Sequence, residues 1–136
     1  MTEGERARFD DLLEEVIENV PDAIRSLLQE VPVIVLDQPT IEIMKDLGLD
    51  PQNEEDLLSI CGLHSGASQT EQTVEASLEL PPQVHLFRRG IIDLAGGWKN
   101  DDEEAAIYEE IWVTLLHEIG HQFGLSEEDL EQLGYE

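Results

Sequence analysis

Basic residues are scarce in this chain, and that scarcity excludes more than any other feature of its composition. Only 7 Lys and Arg stand against 32 Asp and Glu, a formal net charge of −25. A field of that sign repels phosphate backbones, so nucleic acid is not expected as a partner. It favours basic peptides near a cleft, but it equally serves solubility or salt adaptation, so it does not identify a substrate by itself. Cysteine is down to Cys61. An internal disulfide is therefore excluded, a reducing compartment fits, and Cys61 is expected as a small buried residue rather than a ligand or nucleophile. No apolar run approaches the roughly 20 residues that span a bilayer, so no membrane partner is expected. The opening Met1-Thr2-Glu3-Gly4-Glu5-Arg6 is acidic and mixed rather than basic then apolar. A secretory leader is thus not expected, and the cytoplasm is the expected compartment. With 136 residues, 40% of them hydrophobic, residues 1–136 are expected to form one domain around a single modest core.

Against these absences stands one stretch with chemistry in it: Thr114-Leu115-Leu116-His117-Glu118-Ile119-Gly120-His121-Gln122-Phe123-Gly124-Leu125-Ser126-Glu127. Residues four apart on a helix are neighbours, with Cβ atoms about 5–6 Å apart. His117 and His121 can therefore bind one zinc ion at roughly 2.0–2.1 Å. Glu118, one residue on from His117, points beside the metal, where it can take a proton from a metal-bound water and pass it to a leaving amine. Gly124 suits the left-handed position that ends a helix and lets the chain turn back. Fifteen residues follow His121, so a glutamate from a distant later helix is not the expected third ligand. Glu127 is the first acidic side chain to arrive and the expected third ligand, with Asp129 the second choice and Glu128 the third. Ser126 to Asp129 also reads as a capping box, which alone would explain acids there.

His117-Glu118-x-x-His121-x-x-Gly124-x-x-Glu127 resembles the long zinc motif of metzincin-type proteases and, more closely, a family of small bacterial zincin-like metallopeptidases. The resemblance implies an α/β (α+β) fold: a compact minimal zincin-like domain with a small mixed sheet packed on the active-site helix. It implies one zinc ion per chain, held by His117, His121 and Glu127, with Glu118 as general base, and a peptide or protein substrate. The usual third ligand of that family is Asp, whereas Glu127 is one methylene longer. No Met follows the motif, so the Met-turn of true metzincins is absent. The alternative reading is a metal-binding or partner-binding protein on the same scaffold with little proteolysis. Oligomeric state is left open.

Along the chain, Phe9, Leu12, Leu13, Val16, Ile17 and Val20 repeat at helical spacing and predict an amphipathic helix that Pro21 interrupts. Pro21-Asp22 can start a second, short helix. Val31 to Leu36 reads as a strand covered on both faces, with Pro32 at its start. Short helices are expected over Pro39–Leu47, ending at Gly48, and from Glu54 to Cys61, or with that segment leading into a strand through Ile60 to His64. Ser65 to Thr73 reads as a loop, and His64 beside it is given no role. After Pro81-Pro82 comes a strand from Gln83 to Arg89; by resemblance it is the candidate edge for pairing with an extended substrate. Arg88 and Arg89 are expected to pair with surface acids. Asn100 to Glu103 reads as an N-cap with acids in the first turn, opening a helix from about Asp101 to Phe123. An oxyanion stabiliser is not placed; His85, Tyr108 and Tyr135 are the residues considered.

Overall fold

The structure, a computed structural model, describes residues 1–65, 82–98 and 101–132. The element that the others pack around is α6 (Asp101–Gln122). Its 22 residues correspond to about 33 Å of helix. Ile107, Ile111, Leu115, Leu116 and Ile119 are wholly buried along it, as their spacing predicts. Against that stripe lies α1 (Glu3–Asn19), whose Phe9, Leu12, Leu13 and Val16 are buried in the same cluster. Thr2 caps α1 in a reciprocal box: its hydroxyl accepts from Glu5 N at 3.1 Å and Glu5 Oε1 accepts from Thr2 N at 3.0 Å. Pro21 then caps α2 (Asp22–Leu28), the short second helix its position predicts.

The sheet is mixed, in the order β1-β3-β2, with β1 (Val33–Leu36) parallel and β2 (Gly62–Ser65) antiparallel to β3 (Gln83–Phe87). Pro32 sits just ahead of β1, where its carbonyl accepts from Val84 N at 3.0 Å and no N–H is required of it. Two expectations are corrected here. β1 is an edge strand, half-buried at every position, not a strand covered on both faces. β3 is central, with Val84 to Phe87 all buried, so it cannot be the edge that takes a substrate. A continuous apolar run and a two-residue alternation look alike whether the strand ends up central or peripheral; only pairing decides.

Between β1 and β2 lie α3 (Ile41–Asp46) and α4 (Glu54–Leu58). Thr40 Oγ1 accepts from Ile43 N at 3.1 Å and Asn53 Oδ1 from Asp56 N at 3.1 Å, so each short helix has a side-chain cap. The Glu54 helix and the strand ending near His64 both exist, one after the other. A further helix, α5 (Arg88–Ala95), begins where the strand was expected to run on to Arg89. Gly90 hid it, because glycine disfavours helix interiors; yet a Cβ there would come within 2.1 Å of Ile60 O, so only glycine allows α5 to cross the chain leading into β2.

Arg88 and Arg89 pair structurally, as expected. Arg88 bonds Asp10 and Asp37, Arg6 also bonds Asp37, and Arg89 pairs with Glu54. This network ties α1 and α5 to the end of β1. The Arg6 guanidinium, with Arg88 behind it, holds the Asp37 carboxyl below its ordinary pKa. Of the loop expected from Ser65 to Thr73, Ser65 is instead the last residue of β2; the rest of that loop and the Asn100 cap lie outside the described residues.

Candidate metal centre

Along α6, Glu109, Val113, His117 and His121 form the solvent-exposed stripe, opposite the buried one. The motif histidines therefore stand on the outer face while the helix beneath them is anchored. His117 Nε2 and His121 Nε2 lie 2.9 Å apart, and the ring centroids are 4.4 Å apart at 55°. Tetrahedral coordination at roughly 2.0–2.1 Å sets two ligand nitrogens about 3.4 Å apart. A few tenths of an ångström of ring rotation thus separates the pair from a zinc-binding arrangement, and the donor set is one that zinc takes. Among the described residues no three His, Cys, Asp or Glu side chains converge on one point.

The chain leaves α6 by a Schellman turn. Leu125 N donates to Gly120 O at 2.7 Å and Gly124 N to His121 O at 3.2 Å, with Gly124 at φ 67°. The stop expected at Gly124 is thus present, and it turns the chain straight into α7 (Glu127–Gln132). Ser126 Oγ accepts from Asp129 N at 3.1 Å and Asp129 Oδ2 accepts from Ser126 N at 2.9 Å. The capping box is therefore formed, and it engages Asp129, the second-choice ligand, in holding the helix start. Glu128 is exposed. Glu127 opens α7, but its side chain lies outside the described residues.

Glu118 occupies the flank of α6 that faces β2, its side chain 15% exposed. Gly62 makes that approach possible: a Cβ there would stand 2.7 Å from Thr114 Cγ2 and 3.0 Å from Glu118 Cγ. Two residues on, on the same face of β2, His64 Nδ1 lies 3.1 Å from Glu118 Oε1. The His64 ring also stacks on His121, with centroids 5.3 Å apart and planes 14° apart. Sequence reasoning gave His64 no role. A lone His carries no spacing signal, and its contact spans 54 positions of chain.

The residues considered for oxyanion stabilisation are not brought here. His85 alternates with Val84 and Leu86, which join the core beneath α6, so it points to the sheet's other face. There it is buried, burial lowers its pKa, and its Nδ1 has no hydrogen-bond partner among the described residues. Tyr108 accepts a hydrogen bond from Asn19 at 3.1 Å, far back along α6. Tyr135 lies outside the described residues.

Beside His117 and Glu118 a hollow of about 330 Å³ runs back along α6 past Thr114 and Glu110, with Cys61 and Gly62 on its other wall. Cys61 is half-buried rather than buried. Burial, with the charges of Glu110, Asp93 and Glu118, pushes its thiol up to about 11, which favours the protonated form over the thiolate.

No helix among the described residues is long and apolar enough to cross a membrane. Comparison with curated proteins gives no match. The model of a family described as zincin-like metallopeptidase matches residues 28–135, from the end of α2 through the histidine pair, leaving only α1 and most of α2 outside it. A mixed sheet with three strands among the described residues, a buried helix presenting two imidazoles outward and a match over most of the chain agree: the chain belongs to the zincin-like metallopeptidase family.

Proposed function

We propose that this chain is a zinc-dependent peptidase in which His117, His121 and Glu127 hold one zinc ion and Glu118 is the general base. The observation that carries the reading is the meeting of His117 Nε2 and His121 Nε2 at 2.9 Å on the exposed face, with the Glu118 carboxylate on the adjoining flank. Bound zinc supplies a water acidified toward a pKa of about 7 and polarises the peptide carbonyl. Glu118, with Oε1 facing His64, has Oε2 to take the proton of the attacking water. It then gives that proton to the amine nitrogen as the C–N bond breaks. The rigid, buried lower face of α6 keeps both imidazoles in register through these steps.

The substrate we infer is an extended peptide lying along β2, an edge strand among the described residues and beside the site, whose outer backbone groups suit strand addition. Basic sequences are favoured. Arg6, Arg8, Arg25, Arg88 and Arg89 each sit in an ion pair with a surface acid, leaving the large acidic excess uncompensated.

Zinc analysis of the purified protein is expected to give one ion per chain, abolished in His117→Ala; stoichiometric zinc in that variant would sink the site. Cleavage of a mixed peptide library is expected to vanish in Glu118→Gln while zinc is kept. Zinc held by a wild-type protein that cleaves nothing would instead support the metal-binding reading. Glu127→Ala is expected to weaken zinc binding; unchanged affinity would move the third ligand elsewhere.

A further inference from the structure

We propose that His64 is the positioning residue of this site, donating its Nδ1–H to Glu118 Oε1 and so fixing the base relative to the His pair. The inference rests on the peptidase reading for its consequence, but not for its geometry. A glutamate on a helix flank has three rotatable bonds, and a proton-transferring group must be held within about 0.5 Å of its working position. Glu118 has one described side-chain partner that can do this, the His64 ring 3.1 Å away. That ring is itself held, stacked nearly parallel on His121 at 5.3 Å and carried on β2 by the His64–Val84 register. One side chain thus touches both the base and a metal-binding imidazole, and ties them to the sheet rather than to their own helix.

The contact also sets the proton on His64. An ionised carboxylate only accepts, so the facing nitrogen must carry hydrogen, and in the neutral ring Nε2 is left with the lone pair. A histidine free in water prefers the opposite tautomer. The same logic orients metal-binding histidines through an outer carboxylate; here the direction is reversed, with the imidazole orienting the carboxylate. Gly62, two residues earlier in β2, is what lets the strand come close enough, since any Cβ there would meet Glu118 Cγ at 3.0 Å.

Two measurements test the proposal separately from the peptidase reading. Long-range proton–nitrogen spectra of the metal-free, nitrogen-15-labelled full chain at about pH 8.5 are expected to show His64 as the Nδ1–H tautomer. In Glu118→Ala the same ring is expected to change to predominantly Nε2–H. An Nε2–H ring in the wild type, or no change in Glu118→Ala, overturns the proposal. In peptide hydrolysis at saturating zinc, His64→Leu is expected to lower kcat about 10- to 100-fold with KM unchanged. His64→Asn, whose amide nitrogen stands near the place of Nδ1, is expected to recover most of it. Full kcat in His64→Leu, or equal loss in both variants, refutes the donor role. A wild type that hydrolyses nothing counts against the peptidase reading alone, and the tautomer result still decides His64.

Discussion

Gly62→Ala is the substitution that most directly probes how the sheet and the active helix share space. A Cβ at this position would lie 2.7 Å from Thr114 Cγ2, 3.0 Å from Glu118 Cγ and 3.2 Å from His85 O. Carbon pairs are comfortable at about 3.5–4.0 Å, so β2 and α6 must separate by close to 1 Å, or Thr114 and Glu118 must both leave their rotamers. Overpacking of this kind costs about 1–3 kcal/mol. With a urea slope of about 1–3 kcal/mol per molar, the unfolding midpoint is expected to drop by roughly 1 M with the slope unchanged. Because the closest atom is the Thr114 methyl, adding Thr114→Ser, which deletes that methyl alone, is expected to return about half or more of the lost stability. The clash with Glu118 would persist, so the double variant is expected to stay slow in peptide hydrolysis, where a misplacement of about 1 Å can cost 100-fold. A Gly62→Ala protein as stable as the wild type, or a double variant showing simple additivity of two losses, would refute the account of this contact.

Three further outcomes follow from the same geometry. Gly124→Ala forces an alanine to φ 67°, which is expected to cost about 1–2 kcal/mol in urea unfolding and to weaken zinc binding by loosening the turn that leads to Glu127; unchanged stability would contradict the turn. His85 is buried with its pKa lowered, so the unfolded chain takes up its proton first as pH falls through about 6.5. Stability of the wild type relative to His85→Phe is therefore expected to fall below that pH and to be flat above it; parallel curves would show that the ring is not desolvated. The Cys61 thiol, raised from 9.0 to about 11, is expected to react with iodoacetamide at pH 8 about 100-fold more slowly than an ordinary exposed thiol. Reaction at the ordinary rate would mean that the hollow beside α6 admits water freely.

Local rules sufficed for much of this molecule. The stripe from Phe9 to Val20, the stripe from Ile107 to Ile119, the stop at Gly124 and the box from Ser126 to Asp129 each depend on residues within a turn or two of one another. That is why the motif helix and the pairing of His117 with His121 were legible in advance. Helix geometry alone sets their separation, whatever the rest of the chain does.

Strand order and the surroundings of Glu118 were not legible, because they depend on contacts between distant positions. The alternation of Val84, His85, Leu86 and Phe87 is compatible with an edge or a centre; pairing with both β1 and β2 made β3 the centre. Arg88 and Arg89 read as the end of a strand until the close crossing at Gly90 showed what the glycine of α5 is for. His64 had no pattern to mark it, and only the antiparallel register of β2 on β3, with α6 settled against Gly62, set its ring beside Glu118 and His121. The sequence by itself determined the pair of imidazoles, since their spacing is a property of one helix. Which side chain stands against the neighbouring carboxylate was decided by the packing of that helix on the sheet, a property no single segment contains.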